Sequence, residues 1–516
     1  MVLIKIACLL KMDSILLKSY FPELFLSIVT FLQVIYTIQI INTLKYNFPV
    51  LDLEVIIQIV FSGCCLLAIL LKTKIFASAS NLVFINDNSS RIVKIFLTLY
   101  FILVIDTIYC SFKIQRINFF EFLTTLLLSL LSMYLVISSC DLISFYLSIE
   151  LQSICFYVLS SSKKDSSFSI ESGLKYFISG SFMSAIFLLG SSILYGCLGT
   201  LNLNNLSILL FEPFSLLSLQ FNYIIYFSFI CVTSTLLFKI VCAPFHFWAP
   251  DVYEGSPLFS TIIFSVMPKI AVLYFLIKWV SCFNSNFFNF KTALFYTGIF
   301  SCIWGAIFAL KQLRIKRLVI YSSVAQVGFI VCSLSLLNIE GFSKSFFFVI
   351  LYTLTSIILW SFIVICYYNS NKLLKVCNES LLITNFSGLF GYNKILSLIA
   401  LLVFFSLGGI PPLTGFLSKA FILIEIVISS KVLPAVLLLI ISSFSMFYYL
   451  RVLKITFFEP KVEGRVLGFY VVFNSKVAAT LHFLVSSLLT VLILIFIFPN
   501  EIYFLSLYML LTSALF

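Results

Sequence analysis

Apolar runs of about 18 to 25 residues recur from one end of this 516-residue chain to the other, and nothing else restricts its fold so strongly. Wound as a helix rising about 1.5 Å per residue, each run matches the ~30 Å hydrocarbon layer of a bilayer. Only 10% of the residues are charged and 62% are hydrophobic, against roughly 25% charged in an ordinary soluble domain. The pattern predicts an all-α polytopic membrane protein with about fourteen transmembrane helices. The spans begin near Pro22, Leu51, Ile92, Phe119, Leu142, Ser172, Tyr223, Pro257, Thr292, Leu318, Ser345, Ile395, Val432 and Thr480. No polar stretch is long enough to build a soluble domain, so function must reside inside the helical bundle or on a partner. The N-terminal MVLIKIACLLKMDS lacks a small-residue cleavage site and an Arg-rich amphipathic pattern, and is read as retained.

The net charge of +12 is spread over loops and is not clustered, which argues against nucleic acid as a partner. Loops after odd-numbered spans hold about sixteen Lys and Arg, among them Lys163, Lys164, KQLRIKR from Lys311 to Arg317, Lys372, Lys375 and Lys454. Alternate loops hold about half as many, which orients the basic face toward the matrix or cytoplasm. Lys5, Lys11 and Lys18 oppose that orientation. The fourteen cysteines include no CxxC spacing and mostly lie in apolar runs, as Cys155, Cys231 and Cys332 do. With only His246 and His482 as imidazoles, neither a metal site nor an iron–sulfur or haem centre is expected, and no cofactor is assigned to this chain. The glycines of LGGIPPLTG lack GxGxxG spacing and lie within a span, so no dinucleotide site is expected.

Against this background, Lys269 in FSVMPKIAVLYFLIKW is out of place, because its ammonium falls near the bilayer midplane. Three more charges share that depth: Glu150 in LISFYLSIELQSICFYVL, Lys239 in STLLFKIVCAPFHFW and Lys419 in GGIPPLTGFLSKAFILIEIV. Each costs about 2.5 to 3.5 kcal/mol at a helix centre on insertion scales, so each is a candidate site residue; a structural ion pair is the competing reading. Lys175 lies only about one turn inside its span, where it could act or simply snorkel. Asp106 and Glu425 are intramembrane by count, with no partner legible.

Proline marks the same places. Pro244 follows Lys239 by five positions, and Pro411-Pro412 precedes Lys419. A proline removes a backbone donor and frees carbonyls that water, side chains or ions must satisfy. Paired interruptions point to inverted repeats with a site at their interface. The breaks fall in spans seven and twelve, which suits two inverted five-helix units over spans four to eight and nine to thirteen. The corresponding divisions are 1–117 for the first three spans, 118–283 and 291–458 for the two repeats, and 459–516 for a last helix and tail. His246, just past Pro244, could relay a proton or hydrogen-bond a freed carbonyl.

PFHFWAPDVYEGSP, MPKIAVLYF, KRLVIYSSVAQVGFI and LGGIPPLTGFLSKAFIL, in this order, resemble the antiporter-like membrane subunits of respiratory NADH:ubiquinone oxidoreductase (complex I), in particular the chain 2 group. The likeness extends from about Asp141 to Glu425. WAPDVYEG replaces the WLPDAH-like run of chains 4 and 5, and Lys419 stands where chain 4 carries Glu. The resemblance implies a fourteen-helix fold with broken helices seven and twelve, and proton translocation coupled to quinone reduction in neighbouring subunits. It implies a central axis of Glu150, Lys175, Lys239, Lys269 and Lys419. It further implies no redox chemistry here, and partners among the hydrophobic complex I subunits, including chain 4, chain 4L and chain 6, together with lipids. Sixty Phe suit an A+T-rich organellar gene and a mitochondrial inner membrane; bacterial plasma and thylakoid membranes remain alternatives. So do a scaffold whose buried ion pairs only fix packing, and an Mrp-type cation/proton antiporter subunit.

On this reading Glu150 and Lys239 form a switch. Moving such a pair from about 4 to 8 Å apart at an effective dielectric near 20 weakens their attraction by about 2 kcal/mol, enough to redirect a proton.

Overall fold

The computed structural model describes residues 20–43, 53–72, 83–115, 121–163, 166–211, 219–282, 288–374, 382–459 and 476–512. The N-terminal MVLIKIACLLKMDS, with Lys5, Lys11 and Lys18, lies outside the described residues, as do Lys164 and Lys375.

Helices dominate, as the apolar runs require. Three come first: α1 (Phe21–Thr43), α2 (Leu53–Lys72) and α3 (Asn88–Gln115). The next group is α4 (Glu121–Ser138), α5 (Leu142–Ser160), α6 (Ser167–Leu198), a short α7 (Leu203–Phe211), the interrupted pair α8 (Leu219–Lys239) and α9 (Trp248–Gly255), and α10 (Leu258–Ser281). The third group holds α11 (Phe288–Lys311), α12 (Ile315–Leu334), α13 (Ile339–Leu374), a one-turn α14 (Leu389–Tyr392), the interrupted pair α15 (Lys394–Gly408) and α16 (Thr414–Ile428), and α17 (Val432–Phe457). The chain finishes with α18 (Lys476–Ile497) and α19 (Pro499–Leu511).

With each interrupted pair counted as one, and the short α7, α14 and α19 set aside, the order is that of the fourteen expected spans, and the breaks fall in the seventh and twelfth. Each of the two later groups holds five of these spans. By length and composition alone, eight helices among the described residues are apolar and long enough to cross a membrane, or nine if the bent α18–α19 pair is one span. The remaining segments are shorter apolar helices or halves of broken ones.

Burial identifies the centre. α10 is buried along its whole apolar length, and α12 and α13 nearly so, whereas α6 and α17 present most of their surface outward. α10 of the first group packs on α13 of the second, placing the junction of the two groups at the middle of the molecule. α11 and α12 approach closely because Gly298, Gly305 and Gly328 line their seam; a Cβ on Gly328 would lie 2.7 Å from the Gly298 carbonyl oxygen.

Two boundaries differ from the sequence reading for a physical reason. α13 starts at Ile339, not near Ser345, because Glu340 and Lys344, which interrupt the apolar run, find ionic partners there. The stretch after Pro499 forms α19, turned by 85° from α18 and packed on α13.

Candidate functional site

Helix breaks create the polar interior. Pro268 lies inside α10, one residue before Lys269, and cannot supply the N–H that would bond the Phe264 carbonyl. The Tyr253 hydroxyl donates to that carbonyl instead, at 3.1 Å. α8 ends at Lys239 itself, and Trp248 of α9 donates its indole N–H to the Phe238 carbonyl at 3.3 Å. α15 ends at Gly408, with Gly409 in the left-handed region at φ 87°. The Lys419 ammonium donates to the exposed carbonyls of Leu407 (3.0 Å) and Gly408 (2.8 Å), and Gln326 also donates to Leu407, at 3.0 Å. A helix C-terminus carries partial negative charge, so it is a favourable seat for an ammonium. The fit is close: a Cβ on Gly415 would meet the Ser406 carbonyl oxygen at 1.6 Å, so α16 can pass the end of α15 only with glycine there.

These groups form a row. Glu150 and Lys239 line one cavity with Ser184 and Thr235, and the carboxylate accepts a hydrogen bond from the Ser153 hydroxyl at 3.1 Å. They share that space without closing a contact as short as an ion pair. Lys239 also lines a second cavity, with Gln152, Ser153, Tyr253 and Pro268, which leads to the turn of α10 that bears Lys269. Lys269 is 1% exposed, lies 4.9 Å from the centroid of the Tyr352 ring and donates to the Tyr352 hydroxyl at 3.0 Å. Tyr352 in turn lines a third cavity with Lys419, Gln326, Thr355 and Ser418. Side chains of α5, α8, α10, α13 and α16 thus succeed one another from Glu150 to Lys419 across both five-helix groups. Ammonium and carboxylate groups brought together with hydroxyls around small cavities can pass a proton by exchanging protonation states.

Other expected residues are placed differently. Lys175 does not join the row: it is 48% exposed and bonds Glu171 at 2.7 Å and Asp251 at 3.4 Å. Its neighbour Tyr176 points inward, stacks on Trp248 and lines the second cavity, because adjacent helical positions are turned by about 100°. Asp251 and Glu254 also take Arg317, and Glu254 takes Arg314, so these charges gather at one end of the bundle. His246 is buried beside Phe247 and Tyr321 and lines none of the three cavities. Asp106 is exposed on the outer side of α3. Glu425 has a partner that its own run does not reveal: the Lys344 ammonium, at 2.5 Å.

Sequence reasoning did not single out Tyr352, Tyr253, Lys278, Lys316, Lys94 or Lys344. Lys278 and Lys316 cap helix ends, donating to Ile137 (2.7 Å) and Ser256 (2.8 Å) carbonyls respectively. Lys94 pairs with Glu23 and donates to Asn86 at 2.5 Å. For the four lysines the signal in the sequence was a lysine within or beside an apolar run, as for Lys239 and Lys269; the two tyrosines carried none.

The family described as NADH:quinone oxidoreductase/Mrp antiporter, TM matches residues 139–446. NADH-ubiquinone oxidoreductase chain 2 of Marchantia polymorpha is 36% identical over 455 residues, covering 86% of this chain and 89% of the relative. A chain of respiratory complex I from Thermus thermophilus superposes with a TM-score of 0.72 at 23% identity, over 93% of this chain and 98% of that one. A chain of the Mrp complex from Dietzia reaches 0.75 at 16% identity, over 96% and 97%. The overall fold is therefore common to both kinds of assembly, and sequence identity separates them. The chain belongs to the NADH:quinone oxidoreductase/Mrp antiporter membrane family, and within it to the NADH-ubiquinone oxidoreductase chain 2 proteins.

Proposed function

We propose that this chain is the chain 2-type subunit of a respiratory NADH:ubiquinone oxidoreductase, and that it moves protons across the membrane while other subunits carry out the redox reaction. The observation that carries the reading is the succession Glu150, Lys239, Lys269, Tyr352 and Lys419: Glu150 and Lys239 share one cavity, a second runs from Lys239 to Pro268 beside Lys269, Lys269 donates to Tyr352, and Tyr352 and Lys419 share the third. Family membership supports the enzyme complex as its setting.

Each part has a physical task. Glu150 stabilises the charged form of Lys239 when the two approach and releases it when they separate. At an effective dielectric near 20, a move from about 4 to 8 Å changes the attraction by about 2 kcal/mol. A proton leaving Lys239 passes toward Lys269, and the Tyr352 hydroxyl can accept from Lys269 while giving its own proton toward Lys419. The carbonyls of Leu407 and Gly408 hold the Lys419 Nζ in place, where the neutral amine receives the proton and the ammonium releases it. Lys175, bonded to Glu171 and Asp251 at the surface, tunes charge at the basic end and is not itself a carrier. His246, between the Pro244 break and Tyr321, stays a candidate for relay or for carbonyl capping.

The setting is a mitochondrial inner membrane, with chain 4 and the small chains 4L and 6 as neighbours. The test is Lys269→Met in the intact complex, with assembly, NADH oxidation and proton uptake measured together. Normal assembly with pumping lost supports the path. Failed assembly, with full pumping in the complexes that survive, would instead mean a scaffold. Sodium-dependent transport by the chain alone in liposomes would favour the Mrp-type alternative.

A further inference from the structure

The second helix group ends in an ionic cluster that the row does not include. Lys344 at the start of α13 donates to Glu425 of α16 at 2.5 Å and to Glu340 at 3.2 Å. Glu425 is 3% exposed and Lys344 is buried, whereas the Glu340 side chain is 59% exposed. The cluster therefore runs from the interior to the surface within three side chains.

Its place in the fold matters. α12 crosses the bundle once from the Arg314–Arg317 end, and α13 begins after that crossing, so the cluster lies at the opposite end. Along α13, Lys344, Phe348, Leu351, Tyr352 and Thr355 recur at three- and four-residue spacing, which puts them on one face. The last four line the Lys419 cavity. Lys344 thus continues that face outward, two helical turns or about 12 Å from Tyr352. Phe348, which lines the cavity, stands between them on that face, and its neighbour Phe347 packs on Phe421 of α16 with ring centroids 5.4 Å apart.

A buried ion pair is a weak device for pinning two helices, since apolar side chains of the same volume do as well or better. A relay, by contrast, needs these charges. We propose that Glu425, Lys344 and Glu340 form the proton-release site that serves Lys419, with Phe348 as its gate; this rests on the reading of the row as a proton path. A proton passing the gate from Lys419 adds to the Glu425 carboxylate. The Lys344 ammonium gives one of its protons to the Glu340 carboxylate and takes the proton from Glu425. One proton has then moved from Glu425 to Glu340, Lys344 is again an ammonium, and Glu340 releases the proton to water.

The experiment uses the complete complex in proteoliposomes, with protons translocated per NADH oxidised and assembly measured on each variant. The double substitution Lys344→Met with Glu425→Leu removes both charges and keeps the volume, so a mere pin survives it. The relay predicts normal assembly and a proton ratio lowered as far as in Lys269→Met. A wild-type ratio in the double variant, with the ratio still lowered in Lys269→Met, overturns the relay and leaves the path standing. A wild-type ratio in Lys269→Met overturns both. Glu340→Ala, at the surface and harmless to packing, provides a second reading. Proton release at least threefold slower is expected, and an unchanged rate would count against the site.

Discussion

Tyr352→Phe isolates one atom of the row. The phenyl ring keeps the cavity wall and the ring contact with the Lys269 ammonium at 4.9 Å, and only the hydroxyl at 3.0 Å is lost. A buried hydrogen bond to a charged group is worth about 1.5 to 3 kcal/mol. If the hydroxyl is the step between Lys269 and Lys419, that energy is lost where the proton crosses between the helix groups. At about 1.4 kcal/mol per tenfold in rate, proton transfer slows by roughly tenfold to 150-fold. The complex is assayed in sealed vesicles for NADH-driven acidification and for NADH oxidation, with an uncoupler added to separate the two. Expected is a slow, tightly coupled enzyme whose oxidation rate does not recover with uncoupler. Wild-type acidification in Tyr352→Phe, alongside its loss in Lys269→Met, would refute the argument, since protons would then bypass this hydroxyl.

Two further predictions concern stability. Lys94→Met leaves Glu23 buried without its ionic partner and, among the described residues, with only the Asn86 amide donating to it, at a cost of about 3 to 5 kcal/mol, while adding Glu23→Leu recovers most of the loss; thermal unfolding in detergent reads both, and equal melting of the single and double variants would contradict it. Gly328→Ala puts a methyl 2.3 Å from the Ser301 hydroxyl and 2.7 Å from the Gly298 carbonyl oxygen. It should destabilise the α11–α12 seam by about 1 to 3 kcal/mol, seen as a lower melting temperature or reduced assembly.

Much of the site could be read before any tertiary contact was known. Lys239, Lys269 and Lys419 stand out because an isolated charge in an apolar run has a depth, and depth follows from position along a helix. Pro244 and Pro411-Pro412 located the breaks because the loss of a backbone donor is a local event. Lys175 shows where that reasoning stops. Its position, about one turn inside the span, left open whether it joins the axis or snorkels, and its azimuth sends it outward to Glu171 and Asp251 while Tyr176 takes the inward position. Asp106, equally intramembrane by count, likewise faces out of α3.

By itself the sequence determined that the chain is a succession of apolar helices, where two of the spans break, and which charges fall within apolar runs, since hydropathy, proline and helical rise all act within about twenty residues. Only the tertiary structure decided which charges meet. Lys344 finds Glu425 across 81 positions, Lys269 finds Tyr352 across 83, and Lys94 finds Glu23 across 71. Such pairings depend on how each helix is rotated about its axis and which neighbour it packs against. Those are set by close packing over the whole bundle, and no local pattern of residues encodes them.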